Sequence, residues 1–170
     1  TVENGATLAT EGTSSLSNGS LKLNGQFAAL GLNINGGMLS GSGNLATVNG
    51  LTATAGTIAP GNSIGTLNVV GNLTLSDDAT LSIEIEGDQS DQLRVIGTAD
   101  IGGILALSIA PGGALPENGK TFLLVNAGTL TGDWDDTAPN LPGTLIVTGE
   151  NLTATGYEVT IGRQSFNAVL

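Results

Sequence analysis

The carboxylates are the strongest candidates for metal-binding or catalytic side chains in this sequence. Asp77 and Asp78 are adjacent, and Asp88 lies close to Asp91. Such clusters suggest Ca²⁺, a hard cation that takes about six to eight oxygen ligands. However, the glycine- and aspartate-rich nonapeptide of calcium-binding β-rolls is absent, and paired aspartates in a turn are usually solvated. We therefore predict solvated corners here and no metal site.

A second acidic pair, Glu84 and Glu86, alternates with Ile83 and Ile85. A glycoside hydrolase needs two carboxylates with different environments, one as an acid and one as a base or nucleophile. Alternation places both glutamates on the outer side of one strand, about two residues apart. We read the pair as a consequence of strand geometry.

The third group surrounds the single tryptophan, Trp134, and consists of Asp133, Asp135 and Asp136. A tryptophan among carboxylates is also found in carbohydrate-binding platforms. More often such a ring closes the end of an apolar core, and this second interpretation is the one we adopt.

The remaining composition narrows the possible functions. The 170 residues include no histidine and no cysteine, which removes imidazole and thiolate chemistry. The net charge is −11, from 15 acidic and four basic residues, so nucleic acid and anionic membrane surfaces would be repelled. The sequence thus predicts no catalytic, cofactor-binding or metal-binding residues. It also predicts no nucleic-acid partner and no direct membrane insertion.

The elements that carry these side chains are predicted to be strands. Glycine occurs 27 times, and 39% of the residues are hydrophobic. Glycine weakens helices by about 1 kcal/mol per residue, and the apolar residues recur with a period of two. The pattern favours an all-β protein whose glycines lie in turns.

Residues 67–85 are repeated in residues 93–109. Leu67, Val69 and Gly71 reappear as Leu93, Val95 and Gly97, an offset of 26 (93 minus 67). A two-residue shortening at residues 76–80 then changes the offset to 24, so that Ile83 corresponds to Leu107. Periods of about 20 to 50 residues indicate a solenoid. We predict that Leu67 stacks on Leu93, Val69 on Val95, and Ile83 on Leu107.

Residues 21–50 contain short apolar segments that end in Asn-Gly or Gly-Gly pairs, which suit sharp corners. Hairpins are the strongest alternative, since Asn-Gly favours them between antiparallel strands. Because the repeat groups its strands in threes, we predict instead a parallel β-helix with three-faced coils. This length corresponds to about seven turns at roughly 4.8 Å each.

The regularity decreases after residue 110. We predict parallel coils over residues 1–110, a modified C-terminal capping region over residues 111–162, and a tail or linker over residues 163–170. Strands are predicted at residues 121–125, 144–147 and 157–161, and long loops at residues 133–136 and 139–143. A cap is expected because an open parallel edge promotes aggregation.

Several segments resemble a known family. The sequence GTIAPGNSIGTL at residues 56–67 resembles the signature near the C-terminal end of passenger domains in Gram-negative autotransporters (type V secretion). GGMLSGSG at residues 36–43 is similar to that family's β-strand repeat, and SDQLRVIG at residues 90–97 resembles the segment that usually follows the signature. TFLLVNAG at residues 121–128 is similar to the strand that begins the family's end region.

This resemblance implies a right-handed parallel β-helix that a C-terminal translocator barrel exports across the outer membrane. The C-terminal coils would act as a folding nucleus, the autochaperone region. In that family the partner of such a segment is its own translocator barrel. Independently of the resemblance, the turn-forming residues at positions 60–65 predict a tight corner between two coils.

We therefore expect a non-catalytic stalk and folding nucleus, located on the bacterial surface or secreted. The alternative is an adhesin or self-associating segment that contacts cells or a host surface. Residues 1–10 lack the basic start and apolar centre of a signal peptide, which predicts a mature protein or an excised fragment.

Overall fold

The computed structural model describes residues 1–165, which form a parallel β-helix. The described part contains strands and turns but no helix, and so nothing in it resembles a membrane-spanning helix. Sixteen strands follow one another along the chain: β1 (Thr7–Ala9), β2 (Thr13–Leu16), β3 (Ser20–Lys22), β4 (Gln26–Ala29), β5 (Gly31–Gly41), β6 (Asn44–Thr47), β7 (Leu51–Pro60), β8 (Thr66–Val70), β9 (Leu73–Glu86), β10 (Gln89–Ser90), β11 (Gln92–Ile101), β12 (Ile104–Ile109), β13 (Lys120–Gly132), β14 (Asp136–Asn140), β15 (Leu145–Leu152) and β16 (Gly156–Arg163).

The strands stack in parallel into three faces, as the repeat predicts. The first face contains β1, β4, β6, β8, the first half of β11 and part of β13. The second contains β2 and segments of β5, β7, β9, β11 and β13. The third contains β3, later segments of β5, β7 and β9, and then β12 and β14. Long strands bend at a corner and so contribute to two faces.

Columns of aliphatic side chains fill the interior. On the first face Phe27, Leu45, Val69, Val95 and Ala127 lie in one register, and every one is buried. Comparable columns on the other faces run through Leu32, Leu51, Leu73, Ala99 and Leu130, and through Leu39, Ile58, Leu81 and Leu105. Each fully buried aliphatic side chain contributes about 1.5 to 3 kcal/mol.

The three predicted stacking pairs are confirmed. Leu67 pairs with Leu93 and Val69 with Val95, at the offset of 26, whereas Ile83 pairs with Leu107, at the offset of 24. The offset changes at the corner between the second and third faces, which is two residues shorter before β12 than within β9.

The predicted Asn-Gly and Gly-Gly corners separate parallel strands, so the hairpin alternative is wrong for residues 21–50. Gly36 and Gly37 lie within β5, at the point where this strand turns from the second face to the third. The φ angle of Gly37 is 74°, a value that L-residues with side chains rarely adopt.

The C-terminal end combines parallel and antiparallel pairing. The first half of β13 pairs antiparallel with β16, and β15 pairs antiparallel with β16. Val159 and Ile161 of β16 are fully buried beside the core. Each face contains six stacked strands in the described part, fewer than the seven turns expected, because this antiparallel segment uses the remaining chain.

Both predicted loops, residues 133–136 and 139–143, are wrong in part. Residues 136–140 form β14, which pairs in parallel with β12, although this stretch contains Pro139. β14 pairs with no second strand in the described part, so Pro139 lies at an edge, where a missing N–H can be tolerated. Of the predicted tail, Arg163 ends β16, and residues 166–170 lie outside the described residues.

Candidate functional site

The corner at residues 60–65 joins the third face of one coil to the first face of the next. β7 ends at Pro60, and Gly61 then turns with a φ of 89°. The Gly61 N–H donates to the carbonyl oxygen of Gly41 at 2.9 Å, and the Gly41 N–H donates back at 3.1 Å. This corner is therefore bonded directly to the preceding coil.

Asp91 binds the same corner from the following coil. Its Oδ1 accepts the Gly65 N–H at 2.9 Å, and its Oδ2 accepts the Glu84 N–H, also at 2.9 Å. Asp91 precedes β11 just as Gly65 precedes β8, since Gln92 pairs with Thr66. The carboxylate thus links two successive coils and the end of β9.

Asp91 is also unusual in its burial. It is 1% exposed, and it is the only buried charged residue within residues 1–165. Burial raises its pKa to about 7, and the nearby Glu84 carboxylate adds to this rise. The two backbone N–H donors act in the opposite direction, because they stabilise the ionised form.

Only glycine fits at position 61. A Cβ there would clash with Asp91 Oδ1 and would lie 2.6 Å from the backbone oxygen of Ser63. The positive φ angle adds a conformational penalty for any other residue. The signature-like segment therefore has a shape that accommodates the buried carboxylate.

An open cavity of about 330 Å³ lies over this corner. Its polar lining includes Lys22, Asn62, Ser82, Glu84 and Asp91. The amide of Asn62 donates to Asn24 Oδ1 at 2.8 Å, which links the corner to an earlier coil. Both Asp91 oxygens already accept backbone hydrogen bonds, so this carboxylate fastens successive coils together.

The predicted acidic clusters do not converge. Asp77 and Asp78 are exposed within β9, where the strand turns from the second face to the third. Asp88 Oδ2 lies 3.7 Å from Lys120 Nζ, whereas Asp91 is turned into the corner. Residues 1–165 contain no group of three or more His, Cys, Asp or Glu side chains arranged to hold a metal ion.

Glu84 and Glu86 lie where alternation predicts, on the outer side of β9 beside the buried Ile83 and Ile85. Glu84 is half-buried and Glu86 is exposed.

Trp134 packs against the end of the core. It is half-buried, and its ring meets Tyr157 edge-on, with centroids 5.8 Å apart and an interplanar angle of 84°. Burial and the Glu150 carboxylate raise the pKa of Tyr157 well above its usual range. Asp135 Oδ2 accepts the Gly103 N–H at 2.6 Å, so this carboxylate ties the end region to the coil beneath it. This geometry agrees with a plug at the end of the core.

Sequence reasoning missed the role of Asp91 and grouped it with Asp88. The offset of 26 gave one signal, because it aligns Asp91 with Gly65, the residue whose N–H the carboxylate accepts. No protein-family model matches the chain, and no curated protein is significantly similar to it in sequence.

Proposed function

We propose that this chain is a non-catalytic stalk and folding nucleus of an autotransporter passenger, displayed on or released from the surface of a Gram-negative bacterium. Its partner in export would be a C-terminal translocator barrel in the full-length protein. The proposal includes no catalytic, cofactor-binding or metal-binding role for this segment.

The in-register stacking of the buried columns is the observation that carries this proposal. Each coil presents a row of backbone donors and acceptors and an apolar interior edge to the next coil. A formed coil can therefore template its neighbour, and each added coil releases free energy that opposes backward slipping. The antiparallel β13, β15 and β16 provide a C-terminal end on which this process can start.

Leu81 provides a direct test. Leu81 and Leu39 are fully buried in the same column of the third face, but Leu39 lies two coils nearer the N-terminus. Replacing either leucine by alanine should reduce the free energy of unfolding by about 2 to 5 kcal/mol. If the C-terminal coils nucleate folding, Leu81→Ala will slow surface appearance much more than Leu39→Ala.

The measurement is the rate at which the chain, fused to an autotransporter translocator, becomes accessible to external protease. Equal display rates for Leu81→Ala and the unmodified chain, despite reduced thermal stability, would rule out the nucleus. Equal slowing by both variants would attribute the effect to general instability instead.

A second candidate function, lateral self-association of surface-exposed rods, is favoured by a specific feature. Val70 and Ile96 lie side by side on the outside of the first face and are 44% and 50% exposed. Exposed apolar rows on an otherwise polar surface are typical of interaction sites.

A further inference from the structure

The outside of the first face lacks carboxylates. Its outward side chains form parallel rows along the rod, because alternate strand residues point away from the core, and two of these rows run through most of its strands. One row is polar and consists of Thr7, Gln26, Asn44, Asn68, Arg94 and Asn126; the other is apolar and consists of Ala9, Ala28, Ala46, Val70 and Ile96. We call these the amide row and the apolar row.

The distribution of charge sets this face apart. All 15 acidic residues lie outside the strand segments that build the first face, and Arg94 is its single charge. The second and third faces carry outward acids, among them Asp100, Glu84 and Asp136. Two copies with a net charge of −11 each repel one another, and the first face is where they can approach with the least repulsion.

Leu30 and Val48 extend the apolar row at the corner where β4 and β6 end. Val48 is 79% exposed and Leu30 is 43% exposed, and the Val48 N–H donates to the carbonyl oxygen of Leu30 at 3.1 Å. The exposed apolar surface therefore continues from the first face around this corner.

The apolar row is complementary to itself when reversed. Its small members, Ala9, Ala28 and Ala46, lie in the earlier coils, and its large members, Val70 and Ile96, lie in the later ones. Consider a two-fold axis that lies in the contact plane and runs parallel to the strands. This axis places the second rod antiparallel to the first, and each row then faces the same row of the second copy. Val70 then faces Ala46 of the second copy, and Ile96 faces Ala28.

The amide row fits the same arrangement. Reversal about the midpoint between β6 and β8 places Arg94 opposite Gln26 of the second copy, so the two arginines do not meet. Asn44 and Asn68 face each other, and amide side chains can both donate and accept hydrogen bonds.

We propose that the first face binds a second copy of this chain, with the rods antiparallel and the apolar rows in contact. This inference rests on the second candidate function and assigns its surface and its partner. Six strands at about 4.8 Å and four to five residues of about 3.3 Å give an area of roughly 430 Å² per copy. The total is below the ~1,200 Å² at which stable complexes begin, so association is weak and requires a high local concentration.

Sedimentation equilibrium of the 170-residue protein tests the proposal from about 10 µM to about 1 mM, the range in which weak interfaces of this size associate. The weight-average mass should rise from that of the 16.8 kDa monomer towards the dimer. Added salt should strengthen association, because it screens the repulsion between acidic copies. A monomer at every concentration and salt level would overturn the proposal.

A pair of matched double variants locates the contact. Val70→Asp with Ile96→Asp introduces two carboxylates in register on the first face, and Thr52→Asp with Thr74→Asp introduces the same two charges in register on the second face. The first double variant should weaken association at least tenfold, whereas the second should change it only slightly. Equal effects of the two double variants would assign association to another surface.

Ile96→Asn is the variant to use if the first double variant does not fold, because it changes no charge and resembles the neighbouring amide row. It should also weaken association, and association unchanged by Ile96→Asn would contradict the assigned face. If the display experiment with Leu81→Ala contradicts the folding nucleus, the sedimentation experiment can still be interpreted, because it uses protein that has already folded.

Discussion

At the scale of single residues, Asp91 is the side chain whose environment has the clearest physical consequence. Its carboxylate is buried, and it is held by N–H groups of Gly65 and Glu84. Other charged groups near it are the Glu84 carboxylate on β9 and Lys22 of β3, which lines the same cavity. Such a group couples the stability of the corner to pH.

Folding raises the pKa of Asp91 from 3.8 to about 7. Between these values the folded protein binds more protons than the unfolded chain, so the contribution of protonated Asp91 is complete below about pH 4 and is lost as the pH rises to about 7. The loss should be on the order of a few kcal/mol, since one pKa unit corresponds to about 1.4 kcal/mol.

Chemical denaturation of the unmodified protein and of Asp91→Asn, followed from pH 4 to pH 8, measures this loss. The difference in free energy of unfolding between the two should change over that interval. Asp77→Asn is the control, because Asp77 is exposed, and it should leave the pH dependence nearly unchanged. A pH profile shared by Asp91→Asn and the unmodified protein would contradict the coupling.

Gly61→Ala should destabilise the protein more than Gly119→Ala. Both glycines have positive φ angles, 89° and 82°, which cost about 1 to 2 kcal/mol for alanine. A Cβ at position 61 also clashes with Asp91, whereas none of the neighbouring atoms lies within 4 Å of a Cβ at position 119. Thermal unfolding of the two variants measures the difference, and equal melting temperatures would show that the corner relaxes freely.

At the scale of elements, stability should increase from the first coil towards the middle coils. The residues of β1 are exposed, and β1 pairs with β4 alone. In contrast, β9 pairs with strands on both sides and contains Leu81, Ile83 and Ile85, all fully buried. Local opening is therefore easier at β1 than at β9.

Hydrogen exchange measured by mass spectrometry should show this difference. Peptides that cover residues 1–22 should exchange much faster than peptides that cover residues 73–109, because few buried contacts oppose local opening in the first coil. Uniform protection along the coils would mean that they open only together.

At the scale of the whole molecule, the large net negative charge is the main unfavourable electrostatic interaction. The 15 acidic residues face four basic ones, and Lys120 with Asp88 forms the single ion pair found in residues 1–165. Self-repulsion of this kind opposes the compact state. Moderate concentrations of NaCl should therefore raise the melting temperature, because they screen the repulsion.

Differential scanning calorimetry over a series of NaCl concentrations measures this effect. A matched series with an uncharged osmolyte separates screening from the general stabilisation that excluded solutes produce. A melting temperature that falls as NaCl is added would show that attractive charge pairs, such as Lys120 with Asp88, outweigh the repulsion.

The coil architecture was predictable because it is encoded locally and repeatedly. Leu67 and Leu93 share a pattern of alternation, and one repeat that cannot bury its own apolar side must place the next repeat on it. β14 was not predicted, because Pro139 and the neighbouring polar residues have low strand propensity. Its pairing depends on β12, whose free edge accepts it.

The class of fold, the offsets of 26 and 24, and the outward position of Glu84 can all be read from the sequence. The first two follow from the repeat, and the third follows from alternation along one strand. The tertiary structure alone decided that Asp91 is buried against Gly65 and that Val70 and Ile96 form a row on a face without carboxylates. These outcomes depend on which coils meet. The burial of a side chain and the charges around it are set by residues that are close in space and not by its neighbours in the sequence.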